Sequence, residues 1–119
     1  MWGIEMDGSY ARVWHYQVKS TRVEEFERTY GPAGSWSRIF KACPGYNGTV
    51  LLKKADGSCA YITLDFWQDE ASFRKASLAE LGEYQALDAE CEAYTEEERD
   101  SGGWSVLRPD SPRTADPVE

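Results

Sequence analysis

The chain has 119 residues, 41% of them hydrophobic and 29% charged, which is room for one compact domain with a modest core and not for two. A formal net charge of −8 repels polyanions over most of the surface and argues against nucleic acid as a partner. No apolar run approaches the ~20 residues that span a bilayer, so no membrane partner is expected either.

Residues 1–9 carry no periodic pattern and read as an N-terminal extension, without the basic start and apolar centre of a signal peptide. Tyr10–Val18 alternates, with Trp14, Tyr16 and Val18 on one side and Val13, His15 and Gln17 on the other, which predicts a first strand. Thr21 and Glu24 have the spacing of a capping box and predict a helix whose stripe is Val23, Phe26 and Tyr30. Gly31-Pro32-Ala33-Gly34 breaks it. Ser35 is placed to cap a short helix over Trp36–Ala42, which Cys43-Pro44-Gly45 ends.

Tyr46–Lys53 and Cys59–Phe66 read as a hairpin, with Asp56-Gly57 as its turn signal. In the second of these strands Ala60, Ile62, Leu64 and Phe66 face one way, and Tyr61, Thr63, Asp65 and Trp67 the other. Asp69 is a natural N-cap for the helix that follows. Its stripe runs through Phe73, Leu81, Tyr84, Leu87, Cys91 and Tyr94, and the misfit of Leu78 and Glu80 predicts a kink near Ser77–Leu78. Thr95 and Glu98 suggest a further capped turn, and Gly102-Gly103 a release into a last strand, Trp104–Arg108. Residues 109–119, with three prolines, predict a disordered, dispensable tail.

The order strand, helix, strand, strand, helix, strand is that of an α+β, ferredoxin-like β-α-β-β-α-β domain over residues 10–108, with a four-stranded antiparallel sheet and strands one and three central. Two helices cover one face. The other, expected to carry His15, Thr63, Asp65, Val13, Tyr61 and Trp67, needs a cover, and a second copy of the chain, a homodimer through the sheet faces, is the simplest. Three scattered cysteines, Cys43, Cys59 and Cys91, cannot all pair within one chain and favour a reduced, cytoplasmic setting, each as a small buried hydrophobe.

The run FERTYGPAGSWSRIFKACPGYNGTVLL (Phe26–Leu52), followed by YITLDFWQDEASF, resembles the antibiotic biosynthesis monooxygenase (ABM) family. The marks are an aromatic-rich first strand ending in Val18-Lys19, a Pro-Gly-Tyr lead-in to the second strand, and a Trp-x-Asp-x-x-x-Phe step from the third strand to its helix. The likeness covers Ala11–Arg108 and implies a dimeric α+β barrel. It also implies a choice of activities: cofactor-independent oxygenation of aromatic polyketides, haem degradation, quinone handling, or no turnover at all. The haem-degrading relatives use a histidine on the second helix, and Ala71–Tyr94 holds none.

His15, the only histidine, and Asp65, expected beside it on one face, are the candidate catalytic pair, because an imidazole titrating near neutrality suits a general base. Their bland alternatives are a hydrogen-bonded packing residue and an interface ion pair. Aromatic residues make up 13% of the chain, more than a small core needs. Trp14, Tyr16, Trp36, Phe40, Tyr46, Trp67 and Tyr84 are therefore the expected walls of a pocket for a small aromatic ligand, core packing being the plainer role for most of them, and Trp67 is the match to the family's tryptophan. One histidine and scattered cysteines give no closed metal set, and no glycine-rich phosphate loop follows a strand, so neither metal nor cofactor is expected. Two functions remain: cofactor-free monooxygenation of a phenolic or quinonoid molecule, or non-catalytic binding, as in a stress-response protein of the same fold.

Overall fold

The computed structural model describes residues 9–76 and 82–107. Four strands, β1 (Tyr10–Val18), β2 (Tyr46–Lys53), β3 (Ala60–Trp67) and β4 (Thr95–Ser105), form one antiparallel sheet in the order β2-β3-β1-β4. Strands one and three are central, as the connection rules require. The helices are α1 (Val23–Tyr30), preceded by a 3-10 turn over Ser20–Arg22, then α2 (Ser35–Phe40), α3 (Glu70–Lys75) and α4 (Gly82–Cys91).

The register of β1 on β3 decides which side chains share a face. Trp14 lies opposite Thr63, Arg12 opposite Asp65 and Tyr16 opposite Tyr61, so the ring-bearing set of each strand points the same way. That face meets the helices. Its core joins Tyr16, Val18 and Tyr61 to Phe26 and Tyr30 of α1, Leu87 and Cys91 of α4, and Tyr94. Phe26 is fully buried, with ring centroids 4.2 Å from Tyr30, 4.8 Å from Tyr61 and 5.2 Å from Tyr16. Tyr61 donates to Glu27, which also holds Lys53 Nζ at 3.1 Å, so α1 is tied to the two hairpin strands.

The expected division of faces is corrected here. Tyr61 and Trp67, assigned to the uncovered face, are 2% and 1% exposed beneath the helices, while Val13 pairs with Leu64 on the opposite side. Alternation shows that each strand has two faces, but only the pairing shows which face joins which.

Local signals fared unevenly. Asp69 caps α3, its Oδ1 accepting the Ser72 amide at 2.8 Å. The Thr21–Glu24 box does not form, because Thr21 sits inside the 3-10 turn and not in the extended backbone a cap needs. Ser35 is the first residue of α2, not its cap: Gly34 holds that place, with the Thr29 carbonyl oxygen only 2.3 Å from where a Cβ would stand. Gly45 takes φ +92° as the chain turns past Ser72 into β2.

Thr95–Arg99 is not a helical turn, because β4 begins at Thr95 and pairs along β1. The predicted kink at Ser77–Leu78 lies outside the described residues, as do the tail and all of the extension but Ser9. Ser9 is buried and accepts the Val106 amide at 2.9 Å. Among the cysteines Cys91 is buried, whereas Cys43 and Cys59 are only half-buried; all three are free thiols. Among the described residues no helix is long and apolar enough to cross a membrane.

Phe26→Ala should cost about 3–5 kcal/mol, the usual loss for a buried aromatic ring. Urea unfolding measures this, and a loss under about 1 kcal/mol would remove the ring cluster from its place as the core.

Candidate functional site

The helices do not seal against the sheet everywhere. Beyond the packed cluster, the same face opens into a cavity of about 450 Å³, within the range of small-molecule sites. β1 contributes Arg12, Trp14 and Tyr16 to it, and β3 contributes Thr63, Asp65 and Trp67. Tyr30, Trp36 and Phe40 come from α1 and α2, Phe73 and Arg74 from α3, Tyr84 and Asp88 from α4, and Glu98 and Asp100 from β4.

The rings form a continuous wall. Tyr16 stands 5.0 Å from Tyr30, Tyr30 6.0 Å from Trp36, and Trp36 5.0 Å from Tyr84. On the other flank Phe40, Trp67 and Phe73 follow one another at 6.0 and 5.7 Å. Burial pushes the Tyr16 and Tyr30 phenols well above the ordinary tyrosine range, so both stay neutral.

Asp65 is the chemically distinctive group. Its carboxyl lies deep in the protein yet keeps one side on the cavity, and burial raises its pKa to about 6, against the opposing pull of the Thr49 hydroxyl. Thr49 donates to Asp65 Oδ1 at 2.6 Å. Across the strand pair Arg12 reaches both oxygens of Asp100 through Nη2, at 2.9 and 2.8 Å, and lies 4.8 Å above the Phe73 ring. Glu98 is raised by burial and by the nearby Asp88 and Glu92.

Among the described residues the buried Arg12 Nε and Trp67 Nε1 find no hydrogen-bond partner, while Thr63 and Trp36 have only the nearby Tyr16 and Tyr30 hydroxyls. All four residues line the cavity. Polar groups on a cavity wall are free to pair with water or with a bound molecule.

Of the residues singled out in the sequence, Asp65, Trp14, Tyr16, Trp36, Phe40, Trp67 and Tyr84 all line this cavity. Tyr46 stands behind the wall, 5.5 Å from Phe40 and 5.4 Å from Trp67. His15 and Asp65 are not brought together. His15 pairs with Ile62, one residue out of phase with Asp65, and its Nδ1 lies 2.7 Å from Ser101 Oγ on the opposite face. Arg12, Tyr30, Thr63, Phe73, Arg74, Asp88, Glu98 and Asp100 were not among the expected site residues. Arg12 was legible, since it shares the parity of Trp14 and Tyr16. The β4 acids were not, because their stretch reads as a helical turn.

The chain resembles several solved structures over nearly its whole length. SnoaB, a cofactor-independent oxygenase from Streptomyces nogalater, superposes with a TM-score of 0.64 at 19% identity, covering 87% of this chain and 97% of that one. A protein from Nitrosomonas europaea, described as an antibiotic biosynthesis monooxygenase, gives 0.64 at 13% identity over 91% and 99%. A conserved protein from Methanosarcina mazei gives 0.60 at 14% over 81% and 90%. The chain has the ABM-like fold. No family model matches it, and no curated protein sequence does.

Asp65 also predicts a pH signature. The unfolded carboxyl ionises near ~3.9 and the folded one near 6, so the folded state holds more protons between those values. Stability should therefore fall as pH rises from about 4 to 6 and level off above. Asp65→Asn should flatten that slope and, at pH 7, recover on the order of 2–3 kcal/mol. Denaturant unfolding across that range checks it; a slope unchanged in the variant would show that Asp65 ionises freely.

Proposed function

We propose that the protein is a cofactor-independent monooxygenase of phenolic or quinonoid aromatic molecules, with Asp65 as the proton acceptor. The observation that carries this reading is a deep carboxyl, held near pKa 6, on a cavity walled mostly by rings. The oxygenase description of SnoaB supports the class of reaction.

Ground-state dioxygen is a triplet and reacts slowly with closed-shell molecules unless they give up single electrons. A phenolate gives one up far more readily than its phenol. The site therefore has two tasks, removing a proton and keeping the resulting anion away from water. Above about pH 6 Asp65 is ionised and can take the phenolic proton. The phenolate keeps the electron pair and, with its ring held among Trp14, Tyr16, Trp36 and Tyr84, passes electrons to dioxygen. One oxygen atom enters the product and the other leaves as water, the substrate supplying all the electrons. Arg12, opposite Asp65 in the register, balances Asp100 on the same wall, so that pair adds no net charge where the phenolate forms. His15 has no part in this, since it faces away.

Asp65→Asn should lower turnover about 10²–10⁴-fold while weakening ligand binding far less. In the wild type kcat should rise with pH through about 6. Oxygen uptake by dialysed, metal-free protein on a panel of hydroquinones tests the class. Full activity in the variant would clear Asp65, and silence across a broad panel would favour a binding protein of the same fold.

The homodimer belongs to the same reading. The face turned from the described helices carries Val13, Val50, Ile62, Leu64 and Phe66, together with Leu52, which is 47% exposed. Val13 and Phe66 are already buried within the chain, which leaves Val50, Leu52, Ile62 and Leu64 as the apolar surface a second sheet would cover. Light scattering should give a particle of two 13.5-kDa chains, and a monomer mass at micromolar concentration would remove the barrel.

A further inference from the structure

Behind Asp65 a line of hydroxyls leads away from the cavity. Asp65 Oδ1 lies 2.6 Å from Thr49 Oγ1, and Thr49 Oγ1 2.5 Å from the Tyr46 hydroxyl. The Tyr46 hydroxyl is 3.3 Å from Ser37 Oγ, and Ser37 Oγ 3.2 Å from the Gly31 carbonyl oxygen. The line crosses β3, β2 and α2 and stops at the turn after α1.

Counting protons along it is decisive. Each hydroxyl has one to give, and the Gly31 oxygen can only accept. With Asp65 ionised, both ends are acceptors, and three protons must fill four links. One link stays empty. With Asp65 protonated on Oδ1 there are four protons for four links, and every hydroxyl points towards Gly31. The link between Tyr46 and Ser37 is the longest of the four.

We propose that Tyr46 and Ser37 act through Thr49 as positioning residues that favour the protonated form of Asp65, because the hydrogen-bond line closes only when Asp65 holds a proton on Oδ1. When a bound phenol loses its proton, its O–H bond breaks and an O–H bond forms on Asp65, while the electron pair stays on the phenolate oxygen. The hydroxyl protons turn towards Gly31 and no other covalent bond changes. A carboxylate lined up this way pulls harder on a proton than it would with the Thr49 bond alone, which by itself favours the ionised form. This rests on Asp65 as acceptor for its catalytic meaning, but the line itself can be tested without turnover.

Other titratable groups line the same cavity as Asp65: Arg12 and Tyr16 on β1, Arg74 on α3, Tyr84 and Asp88 on α4, Glu98 and Asp100 on β4. Among the described residues, however, its hydrogen bond comes from Thr49. These neighbours are the same in variants of the line, so comparison with wild type isolates its effect.

The test is a ¹³C-carboxyl NMR titration of the ligand-free full chain, with Asp65 assigned by Asp65→Asn. Ser37→Ala leaves two links and two protons in the ionised form, so the Asp65 midpoint should fall by about half to one pH unit, the equivalent of one ordinary hydrogen bond. Tyr46→Phe should move it the same way and serves if Ser37→Ala fails to fold. Thr49→Val, which removes the donor to the carboxylate, should raise the midpoint, and Thr49→Ser should restore it. An unchanged midpoint in a folded Ser37→Ala or Tyr46→Phe variant overturns the line. Opposite shifts in a protein that oxidises no phenol would uphold the line and overturn the catalytic reading alone.

Discussion

The pairing of β1 with β3 is the constraint on which the rest depends. Setting Trp14 against Thr63 and Arg12 against Asp65 gathers two ring-bearing strand faces beneath the helices. A slip by one residue would send Asp65 to the far side with His15 and leave the helices to pack on Ile62 and Leu64. The fold would survive such a slip in outline; the cavity would not. The opposite face would then lose Ile62 and Leu64, and with them its reason to seek a second sheet.

Aromatic side chains suit this double duty because they fill volume while carrying polar atoms. Phe26, Tyr30 and Tyr61 close the core at one end, where Tyr61 finds Glu27 for its hydroxyl. Towards the other end the rings stand around the cavity, and the Trp67 nitrogen finds no partner among the described residues. Satisfied at one end and unsatisfied at the other, the same residue types give the domain its stability in one place and its cavity in another.

Much of the fold was legible in the sequence because alternation and turn chemistry are local. Tyr10–Val18, Tyr46–Lys53 and the Asp69 cap needed nothing from elsewhere in the chain. The ring-lined cavity was legible too, since Trp14, Tyr16, Trp36 and Tyr84 stood out as surplus to a small core. What failed was whatever depended on pairing. Asp65 and His15 each lie on an alternating strand, and no local pattern says whether their faces coincide. Thr95–Asp100 failed for a different reason. An acidic edge strand takes its partners through backbone amides to β1, so its side chains show no apolar alternation, and a capping-box spacing prevailed over a pairing the sequence does not display.

That hidden strand bears on the chemistry. Glu98 and Asp100 project into the cavity opposite Tyr16 and Trp14, so the wall already carries acids, one of them bound to Arg12. Adding a free anion to such a site would be costly in a low-dielectric setting. Proton transfer from a phenol to Asp65 adds none. It moves one negative charge from the carboxylate to the ring oxygen and leaves the total unchanged, whereas expelling the proton to solvent would leave two anions facing each other. A buried internal acceptor is thus the arrangement that lets an acidic, ring-walled cavity hold a phenolate. A base on the other face of the sheet, such as His15, could not do the same.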